Sequence, residues 1–185
     1  MTSPLESIYR EHRQGLFTLA LSITRRRDRA EDAVHDAFTR MLRAEASRAA
    51  PQGDRVAYAF ASVRNAAIDI VRKKTELPID AIAGESAAGE SIYSRLRLSQ
   101  SEGSLSEPCD APLIAAEAQQ RVRQAVDELP DATRQVLVMK LHGGLTFEQI
   151  AQAMNEPLST VASRYRRALD RLKEKLAPVA ATGLD

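Results

Sequence analysis

Four side chains near the C-terminus, Thr160, Ser163, Arg166 and Arg167, fall on one face of a predicted helix, and their chemistry is that of nucleic-acid contact. Hydroxyls and guanidinium forks are the groups that base edges and phosphate oxygens accept hydrogen bonds from. Arg164 lies at the boundary of this face, better placed for a phosphate or an intramolecular pair than for a base. A second set, Tyr58, Ser62, Asn65, Asp69 and Arg72, recurs at i, i+4, i+7, i+11 and i+14, with Lys73 and Lys74 closing the run. An aromatic ring, an amide with donor and acceptor, and terminal cations on one stripe suit unstacked bases and a sugar–phosphate backbone; a plain solvent face with an Asp69–Arg72 pair would use the same residues. A third polar stripe, Asp32, His35, Asp36, Thr39 and Arg43, is either a partner surface or simply solvated.

Other chemistries are not spelled out. There is no nucleophile–base pairing, no phosphate-cradling glycine loop and no spaced carboxylate pair, so an enzyme with a small-molecule substrate is not expected. His12, His35 and His142 lie far apart and the chain has one cysteine, which leaves no metal-ligand spacing and no internal disulfide. We expect no metal and no cofactor. The start, MTSPLESIYREHRQG, does not resemble a signal peptide, and no apolar run approaches the eighteen or so residues of a membrane span. The expectation is a soluble, reduced, cytoplasmic protein without membrane insertion.

The elements that must position these residues are helices. Apolar periodicity is close to 3.6 nearly throughout, predicting helices at about 5–26, 28–44, 54–74, 113–128, 131–142, 146–154 and 159–176. Asp28 and Asp54 are candidate caps for the second and third, and Gly143-Gly144 stops the fifth. Thr146 with Gln149 forms a capping box, Asn155 suits a left-handed turn position, and Ser159 is a candidate cap for the last helix. A short capped helix, a tight turn and a longer basic helix make 146–176 a helix-turn-helix. In the last helix Val161, Tyr165, Ala168, Leu172 and Leu176 form the buried stripe, while Asp170 and Glu174 face outward and would repel phosphates. Only its N-terminal half should therefore enter a major groove. At 54–74 the core side is Val56, Phe60, Val63, Ala67, Ile70 and Val71; at 28–44 it is Ala30, Val34, Ala37, Phe38 and Met41.

The 185 residues hold 26 Lys+Arg and 25 Asp+Glu, a net charge of +1 that argues for no particular partner. Its distribution does. Residues 1–74 carry 14 basic and 9 acidic side chains, 75–128 carry 4 and 10, and 129–185 carry 8 and 6. Two basic ends flank an acidic middle, an asymmetry that favours nucleic-acid contact. Residues 75–112 contain seven Ser, three Gly and three Pro and read as a flexible linker, spanning roughly 35 Å as a coil and about 125 Å fully extended. The fold class is all-α: a three-helix N-terminal domain (1–74), the linker (75–112), a four-helix C-terminal domain with the helix-turn-helix (113–178), and a tail (179–185).

RAEDAVHDAF (29–38), SVRNAAIDIVR (62–72) and LPDATRQVLVMKLHGGLTFEQIAQAMNEPLSTVASRYRRAL (129–169) together resemble the small two-domain bacterial sigma factors of the extracytoplasmic-function class, over nearly the whole chain. The resemblance implies a non-enzymatic initiation subunit whose partners are core RNA polymerase and promoter DNA. It implies polymerase contact through Asp32, His35 and Asp36, and minus-ten recognition through Asn65, Asp69 and Arg72, with Tyr58 where Trp is usual. Ser163, Arg166 and Arg167 match the minus-thirty-five readers, and 45–53 corresponds to the loop that captures a flipped promoter base. His35 stands where Gln is usual and Ser159 where the turn Gly is usual. Ala162 and Leu169 replace frequent cations, which should weaken phosphate contacts. Members of this class are commonly held inactive by an anti-sigma partner, and nothing in the sequence identifies one. Two other readings fit the residues: a stand-alone helix-turn-helix regulator with a helical sensing or dimerisation domain, and a helical adaptor that binds only proteins.

Overall fold

A computed structural model describes residues 4–47, 53–75 and 112–176. The described residues form seven helices: α1 (Pro4–Thr24), α2 (Arg27–Ala46), α3 (Arg55–Thr75), α4 (Pro112–Asp127), α5 (Asp131–Leu141), α6 (Phe147–Met154) and α7 (Leu158–Leu176). The predicted linker and tail lie outside the described residues, apart from the ends that join α3 and α4.

The helix boundaries follow local chemistry. Asp54 Oδ1 accepts from the backbone N–H groups of Val56 and Ala57, each at 2.9 Å, and caps α3 as expected. Thr146 and Gln149 form the reciprocal capping box of α6, and Asn155 takes the left-handed conformation at its end (φ 53°). Two expected caps are corrected. α2 starts at Arg27, one residue before Asp28, so the Asp28 carboxylate sits in its first turn and binds Arg26 instead. α7 starts at Leu158, before Ser159, because the Pro157 carbonyl already accepts from Thr160 and Val161. α1 stops at Thr24 rather than 26, where Arg25 adopts φ 58°.

α1, α2 and α3 pack on one another, and α4–α7 form a second set around α7. The two sets are not separate cores. Leu16, Leu19, Phe60 and Val63 lie in one buried cluster with Val136, Met139, Leu145, Ile150 and Val161. α1 packs on α5, and α3 packs on α6. The amphipathic stripes hold, with two corrections at helix ends: Val71 is 37% exposed and Leu176 38% exposed, because each follows the last side chain of its helix that packs on a core cluster, Ile70 and Leu172.

One buried polar residue was not singled out from sequence. Arg134, 2% exposed, donates to the Asp127 and Leu129 carbonyls and pairs with the Asp131 carboxylate. It thus satisfies backbone acceptors at the end of α4, where helical hydrogen bonds run out.

Candidate nucleic-acid interface

α7 presents its N-terminal half to solvent much as its periodicity requires. Val161 and Ala168 are fully buried, while Arg166 and Arg167 are exposed. Neither arginine is ion-paired within the described residues, so both forks are available to an external acceptor. Thr160 and Ser163 are half-buried, and Ser163 Oγ donates to the Thr160 carbonyl at 2.9 Å. That hydroxyl keeps its acceptor lone pairs and can redirect its proton at small cost. Asp170 and Glu174 face outward further along, as expected.

Arg164 is not part of this free set. Its Nη1 donates to Glu156 Oε1 at 2.7 Å, and both side chains are about three-quarters buried. The intramolecular pair is thus the role that Arg164 takes in this structure. Glu156 sits in the turn between α6 and α7, so the pair also fixes the angle at which α7 leaves the turn. Phe147 and Tyr165, edge to face at 5.3 Å, hold the two helices from the other side.

On α3, Asn65, Asp69, Arg72 and Lys73 are exposed and share one face, whereas Tyr58 and Ser62 are half-buried. Ser62 Oγ donates to the Tyr58 carbonyl at 2.8 Å, and Tyr58 packs against the shared core. The stripe is therefore continuous, with its first turn turned partly inward. Arg64, on the neighbouring face, was not predicted as a functional residue. Its Nε donates to Gln135 Oε1 on α5 at 2.8 Å. Burial pushes the Arg64 guanidinium below its ordinary value; the nearby Glu156 carboxylate opposes that shift and Arg164 adds to it.

On α2, Asp32 and His35 are exposed and Asp36 is half-buried. Asp36 is bound by Arg40 one turn on, at 2.6 Å. Beside His35, α1 and α2 enclose an open groove of about 970 Å³. Its floor includes Tyr9, Phe17, Val34, Phe38 and Leu42, with Leu42 52% exposed. An apolar floor rimmed by His35, Arg13 and Glu31 suits an amphipathic helix of a protein partner. Part of the 45–53 loop lies outside the described residues. No group of three or more His, Cys, Asp or Glu that could hold a metal occurs among the described residues. No helix there is long and apolar enough to cross a membrane.

The sequence model of Sigma-70 region 2 matches residues 8–76, spanning α1 to α3. That of Sigma-70, region 4, matches residues 119–172, spanning the helix-turn-helix. The chain belongs to the sigma-70 family. Curated relatives of its extracytoplasmic-function class agree over most of its length. It is 25% identical over 161 residues to the ECF RNA polymerase sigma factor SigK of Mycobacterium ulcerans, covering 87% of this chain and 79% of that one. It is 27% identical over 156 residues to the ECF RNA polymerase sigma-E factor of Escherichia coli, covering 80% and 74%. A solved structure, the sigma factor RpoE in complex with the anti-sigma factor NepR from Bartonella quintana, has the same fold. Its TM-score is 0.66 at 22% identity, covering 96% of this chain and 99% of that chain. This sigma factor is an initiation factor for promoter-specific transcription. A stand-alone regulator is not favoured, because region 2 would then have no use.

Proposed function

We propose that this sigma factor divides promoter recognition between its two helical sets, with residues 1–74 and 113–178 as the working domains. α2 meets core RNA polymerase through Asp32, His35 and Asp36, beside the apolar groove. α3 takes the minus-ten element through Asn65, Asp69, Arg72 and Lys73, with Tyr58 and Ser62 completing the stripe. α7 reads the minus-thirty-five duplex through Thr160, Ser163, Arg166 and Arg167, and Arg164 adds a phosphate contact when Glu156 releases it.

The observation that carries this assignment is the pair of exposed forks of Arg166 and Arg167, not ion-paired within the described residues, on the N-terminal half of α7, a helix braced against its neighbours by the Arg164–Glu156 pair and the Phe147–Tyr165 contact. A recognition helix needs donors that are free and rigidly aimed. The exposed amide of Asn65 supports the second half, since an unstacked base needs an aimed donor and acceptor. Acting as a subunit of RNA polymerase, the protein does no covalent chemistry itself and works in the cytoplasm. An anti-sigma factor, such as the one bound to the solved relative, is a partner of the kind that would regulate it.

Reconstitution with core RNA polymerase on a promoter it recognises tests the division. Asn65→Ala should block opening of the minus-ten region, read by permanganate reactivity of unpaired thymines, and leave minus-thirty-five binding intact. Equal loss of both would sink the assignment.

A further inference from the structure

α7 opens on a leucine that the fold does not use. Leu158 is its first residue and is 45% exposed, and it belongs to neither buried cluster. The first turn of a helix commonly carries Asp or Glu, yet that of α7 has no acidic residue. At 100° per residue, Leu158 and Ala162 fall within about 40° of each other, on the flank of α7 between the buried stripe of Val161 and Tyr165 and the exposed Arg166. Ala162 is half-buried, and Ser159, next round the helix, is exposed.

The other flank is cationic. Arg164, Arg167 and Arg171 fall within about 60° of one another there, with Ser163 and Arg166 between the two flanks. A row of guanidinium groups suits a phosphate strand. A leucine and a methyl group pressed against base-edge donors and acceptors would strip them of water and return no hydrogen bond. The major groove offers such side chains one apolar substituent, the C5-methyl of thymine.

Continuity favours DNA over a protein as the partner of this apolar flank. Leu158 and Ala162 adjoin Ser159 and Arg166 on the same two turns, so a helix seated in the groove through its arginines carries them in with it. Leu169 is 37% exposed on the same flank, but it stands beside the outward Asp170 and beyond the half of α7 that can enter. Resting on the minus-thirty-five assignment above, we infer that Leu158 and Ala162 are specificity-determining residues that read a thymine methyl in that element, beside the base pair taken by Arg166. The arginines fix α7 on the duplex, and the apolar flank chooses thymine by burial rather than by hydrogen bonding.

Removing single methyl groups from the DNA tests this. Core RNA polymerase carrying the full chain selects its minus-thirty-five element from duplexes randomised there, with the minus-ten element held constant. Each thymine of the selected element is then replaced by deoxyuridine, which lacks the methyl and keeps every hydrogen-bonding atom. At one thymine the exchange should weaken binding roughly fourfold, the worth of one buried carbon, with no change in salt dependence. Leu158→Ala should bind the thymine and uracil duplexes equally, whereas Leu158→Met, which keeps an apolar side chain of similar reach, should retain the preference. Ala162→Ser, which puts a hydroxyl on the flank, should reduce it. An element without thymine, or uracil tolerated at every position, would overturn the inference, the latter result leaving the flank to a protein partner. So would a thymine preference unchanged in both Leu158→Ala and Ala162→Ser. Failure to select any element would instead refute the minus-thirty-five assignment itself, and the inference with it.

Discussion

Asp54 Oδ2 accepts a 2.8 Å hydrogen bond from Gln149 Nε2, while Asp54 Oδ1 caps α3 and Gln149 Oε1 accepts from the Thr146 backbone N–H at 2.9 Å. Two residues thereby join the N-termini of α3 and α6, one from each DNA-reading set, in a single hydrogen-bonded chain. The N–H of Ala57 first, and then the Gln149 amide, hold the Asp54 carboxyl below its ordinary value. A carboxyl depressed in the folded state stabilises it above the unfolded value near 4, and that contribution is lost as pH falls through the folded value.

Asp54→Ala should cost about 1 kcal/mol from the lost cap, measured by urea denaturation at pH 7. The difference from the parent should shrink below pH 4, as protonation removes the same interaction from the parent. A constant difference down to pH 2 would show that the carboxylate charge is irrelevant there.

Arg167→Ala should weaken the minus-thirty-five duplex by about 1–3 kcal/mol if its fork is bidentate to a guanine. Anisotropy titration against single-base variants of that element measures it. The loss must be confined to one position, since a uniform loss across variants would make Arg167 a phosphate contact instead.

Glu156→Ala removes the carboxylate between Arg164 and Arg64. Stability should fall by roughly 1–3 kcal/mol, because a guanidinium that is three-quarters buried loses its hydrogen-bond partner. The freed Arg164 should add a phosphate contact, steepening the salt dependence of duplex binding by about 0.9 in the log–log slope. An unchanged slope would leave Arg164 without a role on DNA.

Neutralising the acidic residues of 75–112 should raise polymerase-independent affinity for duplex DNA, because the acidic middle repels phosphates near both basic ends. The test is a titration at low salt, where an unchanged affinity would assign that charge to another purpose.

Much of this was written in local sequence. The Thr146/Gln149 box, Asn155, and the outward Arg166 and Arg167 follow from rules acting over four residues or fewer, and each is where the spacing puts it. Asp28 and Ser159 misled because helices can start a residue early when a backbone carbonyl, here Arg26 or Pro157, closes the first turn unaided. Arg134 escaped notice because a buried arginine looks like any other cation until its three acceptors are gathered around it. Gly15 drew no notice for a similar reason: the close backbone approach that leaves no room for its Cβ comes from Gly143, 128 positions away. The 38-residue linker is long enough to let two domains sit more than one DNA turn apart, and its length says nothing of the apolar faces by which α1 and α3 also join a core shared with α5 and α6.

The most direct test of the account is run-off transcription by the purified protein with core RNA polymerase on a genomic fragment library that includes the region upstream of its own gene. The account predicts specific transcripts that require the protein and are lost with Asn65→Ala. Core enzyme giving the same products with and without it, on every fragment, would contradict the assignment.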